Sequence, residues 1–127
     1  MAKTHSPGFL KLVEAAKNFV RECTVDDMLQ YRARGTTSVL IDVREDHEWD
    51  AGRIPGSIHL GKGIIEQDIE TAVGEKSTKI ILYCGGGFRS VLAAKSLSEM
   101  GYSNVFSMVG GYRAWVESQQ PIERDAK

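Results

Sequence analysis

Long apolar runs are missing from this sequence. The longest, such as Val39-Leu40-Ile41 and Ile80-Ile81-Leu82, are a few residues long, whereas a helix needs roughly 20 apolar residues to cross a bilayer. No membrane span is expected. The stretch Phe9 to Val20 is broken by Lys11, Glu14, Lys17 and Asn18, so it lacks the apolar centre of a secretory leader, and a cytoplasmic location is expected. Cysteine is scarce: Cys23 and Cys84 stand in unlike contexts and are too few for a disulfide scaffold or a paired-cysteine metal site. The histidines, His5, His47 and His59, lie far apart with no ligand-like spacing, so no metal is expected. A surplus of either charge is absent too. Sixteen basic against seventeen acidic side chains leave a net charge of −1, which excludes the phosphate-neutralising surface that bulk nucleic-acid binding requires.

What is present fits one globular domain. A chain of 127 residues can withdraw roughly two-thirds of its unfolded surface from water. Its 42% apolar and 26% charged residues exclude a disordered or collagen-like chain. Ser6-Pro7 reads as a helix start, followed by Phe9, Leu10, Leu12, Val13, Ala16 and Phe19 near helical spacing, which predicts a first helix over 7–19. Thr24 with Asp27 forms a capping-box pattern ahead of Val25, Met28 and Leu29, and that helix ends at Gly35. Residues 38–43 and 79–83 read as strands apolar on both faces, as a buried parallel sheet demands. A helix over 90–100, a strand over 104–108 and a helix over 112–118 follow. This alternation predicts an α/β fold with a mainly parallel sheet. The polar tail, 121–127, is expected to be loose.

One stretch carries chemistry: Ile80-Ile81-Leu82-Tyr83-Cys84-Gly85-Gly86-Gly87-Phe88-Arg89-Ser90. A buried strand that passes through a glycine-rich turn into a helix puts Cys84 at the carboxyl end of a parallel sheet, where open α/β folds place ligands. Glycines let successive backbone N–H groups turn inward around one point, and the positive end of the next helix adds to their field, so a thiolate or another anion is stabilised at the centre. Cys84 is therefore the candidate nucleophile, with Arg89 as a nearby charge. A nucleotide loop is excluded, because Phe88-Arg89-Ser90 stands where Gly-Lys-Ser/Thr would be required.

With these residues in view the sequence resembles the rhodanese-like sulfurtransferases, in their single-domain form, from about Thr24 to Trp115. Asp42-Val43-Arg44-Glu45, Glu48-Trp49 and Gly52-Arg53-Ile54-Pro55-Gly56-Ser57-Ile58 resemble the family's first signature, Cys84 to Ser90 its active-site loop, and Gly110-Gly111-Tyr112-Arg113-Ala114-Trp115 its C-terminal signature. Position 53 departs from the pattern, being Arg where the signature usually has His. The resemblance implies an open, mainly parallel five-stranded sheet with helices on both faces. It divides the chain into an N-terminal helical extension, 1–20, a rhodanese domain, 21–120, and the tail.

The same resemblance implies transfer of a sulfane sulfur from thiosulfate or a persulfide donor, through a Cys84 persulfide, to cyanide or to a thiol acceptor such as thioredoxin, glutathione or dihydrolipoate. No metal or organic cofactor is implied. The loop from Gly85, Gly86 and Gly87 through Phe88 to Ser90 would hold the persulfide with its N–H groups, and Arg89 would bind the sulfonate of the donor. Asp42 is implied to be a structural carboxylate. Arg44 and Arg53 either line the mouth of the site or pair on the surface with Glu45, Glu48 or Asp50. Phosphatases of this fold place one residue more between Cys and Arg than the four seen here, so the loop favours sulfur over phosphoryl transfer, with phosphatase or arsenate reductase as the alternative enzyme. A partner-binding module that kept the fold without activity is a further alternative, disfavoured by the intact loop. Cys23 is expected to be a packing residue, and the first helix to pack on the domain or to mediate a weak homodimer.

Overall fold

The computed structural model describes residues 4–125. Among these residues five strands and six helices follow one another: α1 (Pro7–Lys17), β1 (Arg21–Cys23), α2 (Val25–Ala33), β2 (Val39–Asp42), α3 (Asp46–Ala51), β3 (Ile58–His59), α4 (Ile65–Ala72), β4 (Ile80–Tyr83), α5 (Arg89–Glu99), β5 (Val105–Met108) and α6 (Gly111–Glu117). The strands form one open sheet in the order β1-β5-β4-β2-β3, and every pairing is parallel. β4 is the central strand, so all four of its side chains are buried.

Alternation along the strands divides the core. Ile80 and Leu82 face one layer with Ile41, beneath Ile65 and Ile69 of α4 and Ala93, Ala94 and Leu97 of α5. Ile81 and Tyr83 face the other with Leu40 and Met108, beneath Val25 and Met28 of α2 and Trp115 of α6. Each fully buried Ile or Leu contributes about 1.5–3 kcal/mol, which explains why these strands read as unbroken apolar runs. α1 lies against α5, with Val13 and Ala16 packed on Val91.

The capping box of α2 forms as the sequence predicts: the Asp27 N–H donates to Thr24 Oγ1 at 3.0 Å, and the Thr24 N–H to Asp27 Oδ2 at 2.9 Å. The first helix stops at Lys17 rather than 19. The tail, expected to be loose, is held as far as Asp125. The Trp115 Nε1–H donates to the Pro121 carbonyl at 2.7 Å, Ile122 packs against the core layer that contains Trp115, and Arg53 and Glu123 exchange backbone hydrogen bonds at 2.9 Å. Its polar composition concealed one apolar anchor and two carboxylates that meet a nearly buried cation.

Candidate active site

Cys84 follows the last residue of β4 and so emerges at the carboxyl edge of the central strand, almost wholly buried. Its sulfur accepts the Gly87 N–H at 3.1 Å and the Ser90 N–H at 3.4 Å, and lies 3.5 Å from Ser90 Oγ. Ser90 Oγ is in turn bonded to Ser107 Oγ of β5 at 2.7 Å, both hydroxyls being buried. Three hydrogen-bonding groups thus converge on one sulfur, an arrangement that stabilises negative charge there.

The loop is held in place by α6. The Tyr112 N–H donates to the Cys84 carbonyl at 2.7 Å and the Arg113 N–H to the Gly85 carbonyl at 3.0 Å. In a trans peptide the N–H points opposite to the C=O, so these two bonds turn the amides of Gly85 and Gly86 away from α6. Gly111, at φ +53°, allows this approach, because a Cβ there would collide with the Cys84 carbonyl oxygen. Phe88 contributes backbone rather than side chain to the loop: its ring packs against His5 and near Phe9, at centroid distances of 4.8 and 6.4 Å.

Arg89 makes a two-point ion pair that the sequence did not announce. Its Nη1 and Nη2 donate to Glu48 Oε1 and Oε2 at 2.8 and 3.0 Å. Glu48 belongs to α3, where its Oε1 also accepts the Glu45 N–H at 3.0 Å. The Arg89 guanidinium, together with that backbone donor, holds the Glu48 carboxyl down at about 2.

Asp42 and Arg44 stand behind the loop. The fully buried Asp42 carboxylate accepts the Arg44 N–H at 2.8 Å and its guanidinium at 2.8–3.0 Å, while Arg44 Nη2 donates to the Gly52 carbonyl at 2.6 Å and the guanidinium lies 4.2 Å from the Tyr112 ring centre. The pair therefore ties β2 to the end of α3 and to α6. Arg53 turns elsewhere, to Asp125 at 2.7 Å and Glu123 at 3.2 Å, with its guanidinium over Trp49. None of the pairings expected for Arg44 and Arg53 with Glu45, Glu48 or Asp50 forms; buried Asp42 and the tail carboxylates lie closer. Cys23 lies on β1, two strands from β4, and packs in the opposite core layer from Cys84. Burial, with Asp27 nearby, pushes its thiol up to about 11.

The structure thus gathers Cys84, Gly85, Gly86 and Gly87 of the loop with Arg89 and Ser90 at the start of α5, sets Asp42 and Arg44 behind them, and leaves Arg53 and Cys23 apart. Glu48, Ser107 and the Gly110-Gly111 backbone complete the site. Glu48 and Gly110-Gly111 lie in the first and C-terminal signatures, but their places beside the sulfur loop were not announced there, and Ser107 left no hint. Among the described residues no group of three or more His, Cys, Asp or Glu is placed to hold a metal, and no helix is long and apolar enough to cross a membrane.

The pattern of the rhodanese-like domain family matches residues 24–118, three-quarters of the chain. The chain belongs to the rhodanese-like family. Its relatives include a thiosulfate sulfurtransferase of Haemophilus influenzae, GlpE, which is 34% identical over 68% of this chain and 80% of its own length. A solved structure from Rhodopseudomonas palustris, RPA3614, described as a protein of unknown function and a candidate tyrosine phosphatase, is 32% identical with a TM-score of 0.82 over 97% of this chain and 99% of its own. The polysulfide-sulfur transferase homodimer of Wolinella succinogenes shares the fold, with a TM-score of 0.78, 24% identity, and coverage of 94% of this chain and 89% of its own. The rhodanese fold and the sulfurtransferase relatives support a transferase.

Proposed function

We propose that this rhodanese-like protein transfers a sulfane sulfur through a persulfide on Cys84. The single observation that supports the reading best is the convergence of the Gly87 and Ser90 amides on the Cys84 sulfur. The thiolate attacks the outer sulfur of thiosulfate, a new S–S bond forms as the donor's own breaks, and the electron pair leaves on sulfite. The terminal sulfur then carries the remaining negative charge, which suits a ring of amides. A thiophilic acceptor attacks that sulfur and restores the Cys84 thiolate. Cyanide serves in an assay, and a cellular thiol such as thioredoxin or glutathione is the acceptor we assign. A reducing cytoplasm, which supplies thiols and keeps Cys23 and Cys84 unpaired, is the fitting compartment.

Mass spectrometry after thiosulfate treatment tests the reading. One added sulfur is expected on the peptide containing Cys84, removable by cyanide and absent from Cys84→Ser. The description of the Rhodopseudomonas palustris neighbour favours a second reading, aryl-phosphate hydrolysis. Against it stands the loop, with four residues between Cys84 and Arg89 and Arg89 already bonded to a carboxylate. Efficient aryl-phosphate hydrolysis without persulfide formation would replace sulfur transfer with that reading.

A further inference from the structure

A dianion approaching the Cys84 loop meets opposed charges. Arg89 closes the loop, and Glu48 reaches it from α3, 41 positions away in sequence, to take both terminal nitrogens. The pair is sheltered, with the side chains 33% and 25% exposed. Glu48 Oε1 also accepts the Glu45 N–H, and its Oε2 lies 3.8 Å from where a Cβ on Gly85 would stand, so the carboxylate rests against the first residue after the nucleophile. Held at about 2, it stays ionised across the working pH range. The other two arginines of the first signature offer no substitute: Arg44 is bound to Asp42, and Arg53 to Glu123 and Asp125.

We propose that Glu48 sets the charge of the sulfur donor: by neutralising Arg89 beside the Cys84 loop it selects against dianions such as thiosulfate and favours sulfane donors with one negative charge or none, persulfides foremost. The inference rests on the sulfur-transfer reading above. Glu48 acts through Arg89 and through its own field, as a specificity residue that touches neither reacting sulfur.

Two donors separate charge from chemistry. Thiosulfate carries two negative charges and methanethiosulfonate one, yet both present the same outer sulfur. In either case Cys84 forms a bond to that sulfur and the donor's S–S bond breaks. The electron pair leaves on sulfite or on methanesulfinate, with the persulfide keeping one charge. A nearby unit charge under water-like screening alters the rate by about threefold for each charge on the donor. Removing Glu48's charge should therefore raise persulfide formation about tenfold with thiosulfate and about threefold with methanethiosulfonate.

The experiment is single-turnover persulfide formation at low salt, read by intact mass, for the unmodified protein, Glu48→Gln and Glu48→Ala. Glu48→Gln keeps an acceptor for the Glu45 N–H, and Glu48→Ala removes any amide contact with Arg89. A threefold rise in the thiosulfate-to-methanethiosulfonate ratio in both variants is expected. Partial misfolding scales both rates by the same factor, so it neither creates nor hides a change in that ratio. An unchanged or lowered ratio overturns the proposal and reduces Glu48 to a helix cap. Failure of both donors to place sulfur on Cys84 of the unmodified protein overturns the sulfur-transfer reading itself, an outcome read without either variant.

Discussion

The three glycines after Cys84 are under unequal demands. Gly87 sits at φ +95°, and a Cβ there would stand 2.9 Å from the Gly110 nitrogen, whereas Gly86 has nothing within 4 Å and lacks a positive φ. Gly87→Ala should therefore lose about 1–3 kcal/mol of stability through backbone strain. Gly86→Ala should stay within about 0.5 kcal/mol, since nothing crowds it and the unfolded chain loses entropy. Urea unfolding of the two variants decides this, and equal losses would mean that the loop is shaped by something other than Gly87. The cysteines divide in the same way. Cys84→Ser should abolish sulfur transfer, because a hydroxyl in the same ring of amides is a far weaker nucleophile toward sulfur. Cys23→Ser should leave turnover within about twofold, since Cys23 faces the opposite core layer. The nucleophile was legible because its neighbours in sequence make its environment. The pairing of Glu48 with Arg89 was not, because the two lie 41 positions apart and the short helix that carries Glu48 left no signal of its own.

Strands buried on both faces left strong signals. β2, β4 and β5 fall within a residue of their expected bounds, as do α5 and α6. The elements that left none are short or lie at an edge. β1 has three residues with one buried, β3 has two, and α3 buries none of its six. α4 buries Ile65 and Ile69 but starts without a side-chain cap, so no boundary marked it. The contacts of the tail left no signal for a related reason: they are made with Arg53 and Trp115, distant in sequence, and its own composition shows only polarity. Arg53, which departs from the signature's usual His, is matched by those tail carboxylates. Truncation after Gln120 should therefore lower the urea midpoint at an unchanged m value. Loss of the Trp115–Pro121 hydrogen bond and the Ile122 contacts amounts to about 1–2 kcal/mol, with the loss of both Arg53 partners adding to it. An unshifted midpoint would show that the tail adds nothing to the folded state.

At the scale of the whole molecule, three distant segments meet at the carboxyl edge of the sheet: the β4 loop with its sulfur, α6 behind it, and α3 across it. α3 buries no residue of its own, so the Glu48–Arg89 pair is one of the ties that hold it to α5. That tie has a pH signature. The Glu48 carboxyl ordinarily titrates near 4.5 and is held at about 2 in the folded protein, so the unfolded chain takes up this proton first as pH falls. The stability contributed by the ionised pair is fully present above about pH 4.5 and is lost progressively as pH drops towards 2. Glu48→Gln has no such proton to bind. The unmodified protein should therefore lose stability relative to Glu48→Gln across that window, with their difference constant from pH 5 to 7. Urea unfolding of both proteins at pH steps through the window measures that difference. Parallel curves would show that the folded and unfolded chains hold the Glu48 proton alike, and that in solution the carboxylate does not bridge α3 to the sulfur loop.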